Sequence, residues 1–159
     1  FIAMCFWNFL GAGIFGFAIN PPIALYYIQG LNTTAVHGHA ALFGVYGILG
    51  IGLILFVLRG LYPDRHWNNK ILGWAFWLIN IGLLVMLVGS LLPIGIMQAV
   101  EAIQNGYWSA RSEEFMHTDL MQTIRWLRIP GDILLAIGEL LLVYFIIGLK
   151  TGWSLRDKR

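Results

Sequence analysis

The chain has 159 residues, 58% hydrophobic and 11% charged, with a mean hydropathy of +0.74 and a formal charge of +2. About a quarter of a soluble domain is charged, so this composition excludes that class and marks an integral membrane protein. A net charge this small leaves no basic surface for nucleic acid, and a single cysteine, Cys5, excludes an internal disulfide.

The first predicted span runs from about residue 1 to 28 and holds no charged residue. Cys5 lies in its apolar run and is expected to serve packing. Phe1 opens straight into hydrophobic sequence, and no basic n-region or cleavage pattern precedes it, so it does not read as a signal peptide. It reads as part of something longer. Asn20-Pro21-Pro22 should kink or loosen this helix, because proline lacks the amide hydrogen and its ring clashes with the preceding turn. An uncharged turn, residues 29–34, leads to a second span at about 35–58. A loop, "RGLYPDRHWNNK", leads to a third at about 71–100, with Pro93 near its end. A mixed-charge segment, Glu101 to Pro130, precedes a fourth span at about 133–149, which Asp132 is expected to cap. Each span is close to the ~20 apolar residues needed to cross ~30 Å of hydrocarbon. The alternation of strands is absent. The fold class is therefore all-α, a polytopic membrane helix bundle of four transmembrane helices with no separate soluble domain.

Basic residues orient the chain. Arg59, Arg65 and Lys70 lie between spans two and three, and Lys150, Arg156, Lys158 and Arg159 follow span four. That side is expected to be cytoplasmic, with the C-terminus, and a bacterial inner membrane is the natural setting. Trp67, Trp108, Trp126 and Trp153 fall near span ends, as interfacial anchors do.

The second span contains "AVHGHAALFGVYG", residues 35–47. Ionisable side chains inside a membrane are costly and mark functional sites. On a helix turning about 100° per residue, positions two apart point roughly 200° apart. His37 and His39 therefore cannot share one metal, and each needs its own partner. Neutral imidazole is a common axial ligand of haem iron, and two haems flanking one helix fit, with irons on the order of 15 Å apart. The other reading is a pair of buried imidazoles bonded to neighbouring helices; the geometry favours haem. Gly38 would point to the gap between the haems in a crowded site. Gly44, Gly47, Gly50 and Gly52 read as helix packing.

At these residues the chain resembles the bacterial nitric-oxide reductases of the haem–copper oxidase superfamily. "VHGHAALFGVYG" resembles that family's tenth-helix signature. "FWNFLGAGIFGFAINPP" looks like its ninth helix, and "GYWSARSEEFM" and "RWLRIPGD" like the outer loop before its last helix. The resemblance covers essentially the whole chain and implies the last four helices of a twelve-helix catalytic core. It implies that His37 is the proximal ligand of the high-spin haem, where NO is reduced, and that His39 is one ligand of the low-spin haem. The implied cofactors are two b-type haems and a non-haem iron. The iron's ligands, three histidines and a glutamate, come from earlier helices outside this chain; His66 and His117 fall in loops. The implied reaction is 2 NO + 2 H⁺ + 2 e⁻ → N₂O + H₂O. The implied partners are the N-terminal remainder of the subunit, the lipid bilayer, and either quinol or a cytochrome c subunit as electron donor, with the look of the loops leaning to quinol. The alternatives are an oxygen-reducing haem–copper oxidase and a non-catalytic bis-haem electron-transfer module.

Arg125 and Arg128 precede the fourth span on the outer side, where the family's arginines pair with haem propionates; ordinary surface arginines are the other reading. Glu139 is expected to be a neutral carboxyl hydrogen-bonded inside the membrane. Glu101, Glu113 and Glu114 could line an outer proton entry. "GAGIFG", residues 11–16, matches G-x-G-x-x-G, but it lies inside an apolar span without a preceding strand. Small residues that let a helix or haem approach closely explain it better.

Overall fold

Apolar runs of this length can satisfy their backbone in a membrane only as helices, and the computed structural model has four of them. It describes residues 1–61 and 66–155; Arg65, Arg156, Lys158 and Arg159, used above to orient the chain, lie outside these. Helices long and apolar enough to span a membrane are Ile2–Ile19, Asn32–Leu61, Asn69–Asn105 and Asp119–Thr151. Among the described residues the only β pairing is one bridge, Trp67 to Leu155. The protein is an all-helical, multi-pass membrane bundle.

The spans sit where composition puts them, and their ends differ for local reasons. The first stops at Ile19, not residue 28. Pro21 is extended (φ −54°, ψ 139°), and Asn20 turns its side-chain amide back onto the Gly16 carbonyl at 2.8 Å. Pro22 then opens a separate short helix, Pro22–Ile28, in a first turn where its missing amide hydrogen costs nothing. The third span runs past Pro93 to Asn105. Pro93 falls in the turn after Leu87–Leu91, a stretch with the wider i→i+5 bonding of a π-helix.

The fourth span starts at Asp119, in two pieces, Asp119–Trp126 and Arg128–Thr151, joined at Leu127. Pro130 is tolerated because it lies in the first turn of the second piece, whose amides have no intrahelical acceptor. Asp132 is therefore not a cap. It lies inside the helix and pairs with Arg128 at 3.0 Å.

Two further π stretches, Asn8–Phe15 and His39–Gly47, lie in the first and second spans and pack on one another. Around them Trp7, Val36, Ala40, Leu83, Met86, Leu87 and Leu91 form the main core. Trp7, 1% exposed, donates its indole hydrogen to Asn80 Oδ1 of the third span at 2.9 Å. Gly44 makes room for it, since a Cβ there would lie 2.8 Å from the Trp7 ring. Gly44 is thus a helix contact as expected, whereas Gly47 faces its own Phe43 and Gly50 meets nothing within 4 Å. Cys5 is exposed, contrary to the packing role expected of it.

The fourth span lies along the third through bare glycines. A Cβ on Gly82 would sit 2.5 Å from Leu135 N, one on Gly131 2.6 Å from Met86 N, and one on Gly138 2.8 Å from Ile79 N. Small residues of this kind let membrane helices touch at backbone distance.

At one end of the bundle, Asn68 N–H donates to Ser154 O at 2.8 Å, and Trp67 packs edge-on against Phe145. At the other end, Tyr107 and Arg111 reach the Gln29 carbonyl. The loop after the second span and the residues after the fourth therefore share an end, as alternating spans require. Trp108, Trp126 and Trp153 are exposed near span ends.

Candidate functional site

His37 and His39 lie where the α-helical start of the second span, Asn32–Gly38, gives way to the π stretch His39–Gly47. Both are half-buried. His37 Nδ1 is 2.8 Å from the Gly11 carbonyl of the first span, and His39 Nδ1 is 2.8 Å from the Ala35 carbonyl one turn back on its own helix. A carbonyl oxygen only accepts, so in each ring Nδ1 carries the proton and donates it. The lone pair is then on Nε2, and neither Nε2 has a hydrogen-bond partner among the described residues.

Two carbonyls therefore fix two tautomers. A metal-ligating histidine is normally held this way, its other nitrogen donating to a carbonyl that orients the ring and raises its basicity.

The first span is shaped to this ring. A Cβ on Gly16 would lie 3.1 Å from His37 Cε1, and one on Gly11 would lie 2.6 Å from Ala40 Cβ. Their bareness lets the two helices close and brings the Gly11 oxygen to the imidazole. Of the two expectations for "GAGIFG", close helix approach is seen at Gly11, and at Gly16 the approaching group is the His37 ring itself. Gly38 differs from its expectation, since a Cβ there would meet nothing within 4 Å. Any crowding at Gly38 has to come from outside the described residues.

The donor set suits haem iron. Each ring offers one Nε2 of its own, which would give each of two irons a separate imidazole ligand and leave no shared site. The residues present fit that group.

Residues 1–134 match the family described as Cytochrome C and Quinol oxidase polypeptide I. The chain belongs to that family. The match takes in the first three spans and the start of the fourth, and with them His37, Gly38, His39, Arg125 and Arg128. A relative of this oxidase polypeptide I chain is a nitric oxide reductase subunit of Stutzerimonas stutzeri. It is 32% identical over 142 residues, covering 86% of this chain and 29% of the relative. The chain thus spans under a third of that relative's length. The oxidase polypeptide I family is one of membrane oxidoreductases that work with haem, and the relative is by its name a subunit of a larger assembly.

The other candidate residues of the oxidase polypeptide I chain lie apart from the histidines. Arg128 is engaged with Asp132, and exposed Arg125 donates to the Met116 carbonyl at 3.3 Å. The third span packs between them and the second: Met86 meets Gly131 on the fourth span while belonging to the core of Val36 and Ala40.

Glu139 is half-buried and makes no hydrogen bond among the described residues, contrary to the bonded carboxyl expected there. Glu101 is held by Ser109 Oγ at 2.5 Å and Asn105 Nδ2 at 3.0 Å. With Glu114, Ser112 and Thr118 it lines a polar cavity of about 320 Å³. Glu113 lies outside that cavity, 3.6 Å from exposed His117. His66 is exposed as well.

Sequence reasoning missed the Gly11 carbonyl, the Gly16 slot and the Trp7–Asn80 bond. A backbone acceptor leaves no trace in residue type. The bareness of the two glycines is legible in the sequence; the ring that Gly16 faces is not.

Proposed function

We propose that this chain is the C-terminal four-span part of a nitric-oxide reductase catalytic subunit. In this reading His37 holds the iron of a high-spin b-type haem and His39 one axial position of a low-spin b-type haem. The observation that carries it is the pair of Nδ1–H···O=C bonds, which leaves an Nε2 donor on each side of one helix. Similarity to the nitric oxide reductase of Stutzerimonas stutzeri supports the choice of substrate.

When bound, a five-coordinate haem supplies an open face to a small molecule, and a bis-histidine haem supplies electron transfer. The chain's own contribution is positional. The second span fixes the spacing of the two sites, the Gly11 carbonyl holds the His37 ring, and Ala35 holds the His39 ring. A non-haem iron, held by ligands from the N-terminal remainder of the subunit, would supply the second metal for the reaction 2 NO + 2 H⁺ + 2 e⁻ → N₂O + H₂O, with quinol or a cytochrome c as donor. Arg125 and Arg128 lie near the start of the fourth span and suit haem propionates, Arg128 by exchanging Asp132 for a propionate. The shared end formed by Trp67 and Leu155 is cytoplasmic in a bacterial inner membrane, following the basic residues around it.

The second reading is an oxygen-reducing oxidase, favoured by the family match itself, whose description is that of oxidases. One experiment separates the two. The full-length subunit with its donor is given NO and, separately, O₂. Production of N₂O with slow O₂ uptake is expected; rapid O₂ reduction without N₂O overturns the nitric-oxide reading.

A further inference from the structure

The helix that carries His37 and His39 has no cap of its own. It begins at Asn32, and the preceding residue, Leu31, offers no side-chain acceptor. The first amides of a helix lack intrahelical partners, and a Ser, Thr, Asp or Asn at the cap position ordinarily serves them. Here the acceptor comes from the third span. Gln98 Oε1 accepts the Asn32 N–H at 3.0 Å.

Gln98 is 5% exposed, and the other end of its amide is also engaged. Its Nε2 donates to the Ala110 carbonyl and to Met116 Sδ, both at 3.3 Å. Gly95, three residues earlier and on the same face of the third span, lets the helix start come in. A Cβ there would lie 2.5 Å from Thr33 N. Leu31 is itself buried, with Ala102 and Ala110. One buried amide thus ties together the third span, the segment between spans three and four, and the first turn of the histidine helix.

We propose that Gln98 is a positioning residue that caps the histidine helix from outside and sets the height of both imidazoles at once. The proposal rests on the haem reading of His37 and His39. At ~1.5 Å per residue, His37 lies about 7.5 Å and His39 about 10 Å along the axis from Asn32. The span runs without a break from Asn32 through both histidines. A shift of the first turn therefore moves both Nε2 atoms together, unlike any substitution at one histidine. Movement of the segment around Ala110 and Met116 reaches the histidines by the same route.

The test uses the full-length subunit with Gln98→Leu and Gln98→Glu, reading amide hydrogen exchange over residues 32–37 and the reduction potentials of both haems. Gln98→Leu is expected to speed exchange at Asn32 by about ten-fold. It should also move both potentials and lower turnover roughly ten-fold at unchanged haem content. Gln98→Glu, as the neutral acid, keeps an oxygen for the Asn32 N–H and an O–H for the Ala110 carbonyl, and is expected to hold exchange and potentials at parent values.

Parent-like exchange and potentials in Gln98→Leu overturn the proposal, and so do equal shifts in both variants, since the acceptor would then not matter. If Gln98→Leu does not assemble, Gln98→Glu decides: retained potentials and slow exchange support the cap, and shifted ones overturn it. A parent protein without haem removes the haem reading alone, because exchange at Asn32 still shows whether Gln98 holds the helix.

Discussion

His37 depends on two residues of the first span that have no side chain. Gly11 lends a carbonyl and Gly16 lends space, and neither can change without moving the imidazole. Gly16→Val should press the ring off its position. We expect loss of the high-spin haem signal with the low-spin spectrum retained, read by optical and paramagnetic resonance spectra of the full-length subunit. His37→Ala should abolish turnover and remove the same signal. His39→Ala should instead alter the low-spin spectrum and stop electron entry, seen as a high-spin haem that no longer reduces with donor. Unchanged spectra in both histidine variants would refute the assignment. At this scale the sequence was informative where chemistry resides in side chains. H-G-H separates two imidazoles around one helix because helical geometry is rigid. It is silent about Gly11 O and Ala35 O, since every residue carries a carbonyl.

The helices were legible as spans and much less so in their internal geometry. Three of them contain stretches bonded i→i+5, at Asn8–Phe15, His39–Gly47 and Leu87–Leu91. Each takes up more residues per turn than an α-helix. A wheel drawn at 100° per residue through His39 therefore drifts out of phase before Ile48. Such stretches have no simple compositional mark, and of the glycines read as helix packing Gly44 and Gly52 meet the first span while Gly47 and Gly50 do not. Helix ends failed for a different reason. Pro130 and Pro93 look like stops, yet one falls in a first turn and the other follows a widened one.

The contacts between elements are specific enough to test. Asn80→Leu leaves the buried Trp7 indole hydrogen without an acceptor and should cost ~1–3 kcal/mol. The check is thermal unfolding in detergent, with Trp7→Phe milder because it removes donor and need together. Gly138→Leu forces a side chain against the Ile79 backbone. It should destabilise the pairing of spans three and four by ~1–3 kcal/mol, seen in the same melt.

At the scale of the molecule, many large apolar side chains face outward, among them Phe17, Leu42 and Tyr46 at 78%, 67% and 68% exposed. Leu42 and Tyr46 follow His39 by three and seven residues. Membership in the oxidase polypeptide I family and the coverage of 29% of a relative agree with a surface that meets further helices as well as lipid. Expressed with those helices, the protein should convert two NO to each N₂O, measured by gas chromatography against NO consumed. A one-to-one ratio would contradict the proposed reaction.

The clasp at the other end of the bundle has a consequence in time. Asn68 is made long before Ser154, whose carbonyl it binds, and Trp67 long before Leu155. With roughly 90 residues still to be synthesised, the gap is on the order of ten seconds at ordinary elongation rates. For the later part of that interval the third span is complete while Asn68 and Trp67 still lack their partners. A ribosome halted just short of Ser154 would hold three complete spans outside it and an unpaired Asn68. Amide exchange at Asn68 in such a halted chain should be faster than in the finished protein, where the Ser154 carbonyl holds that N–H.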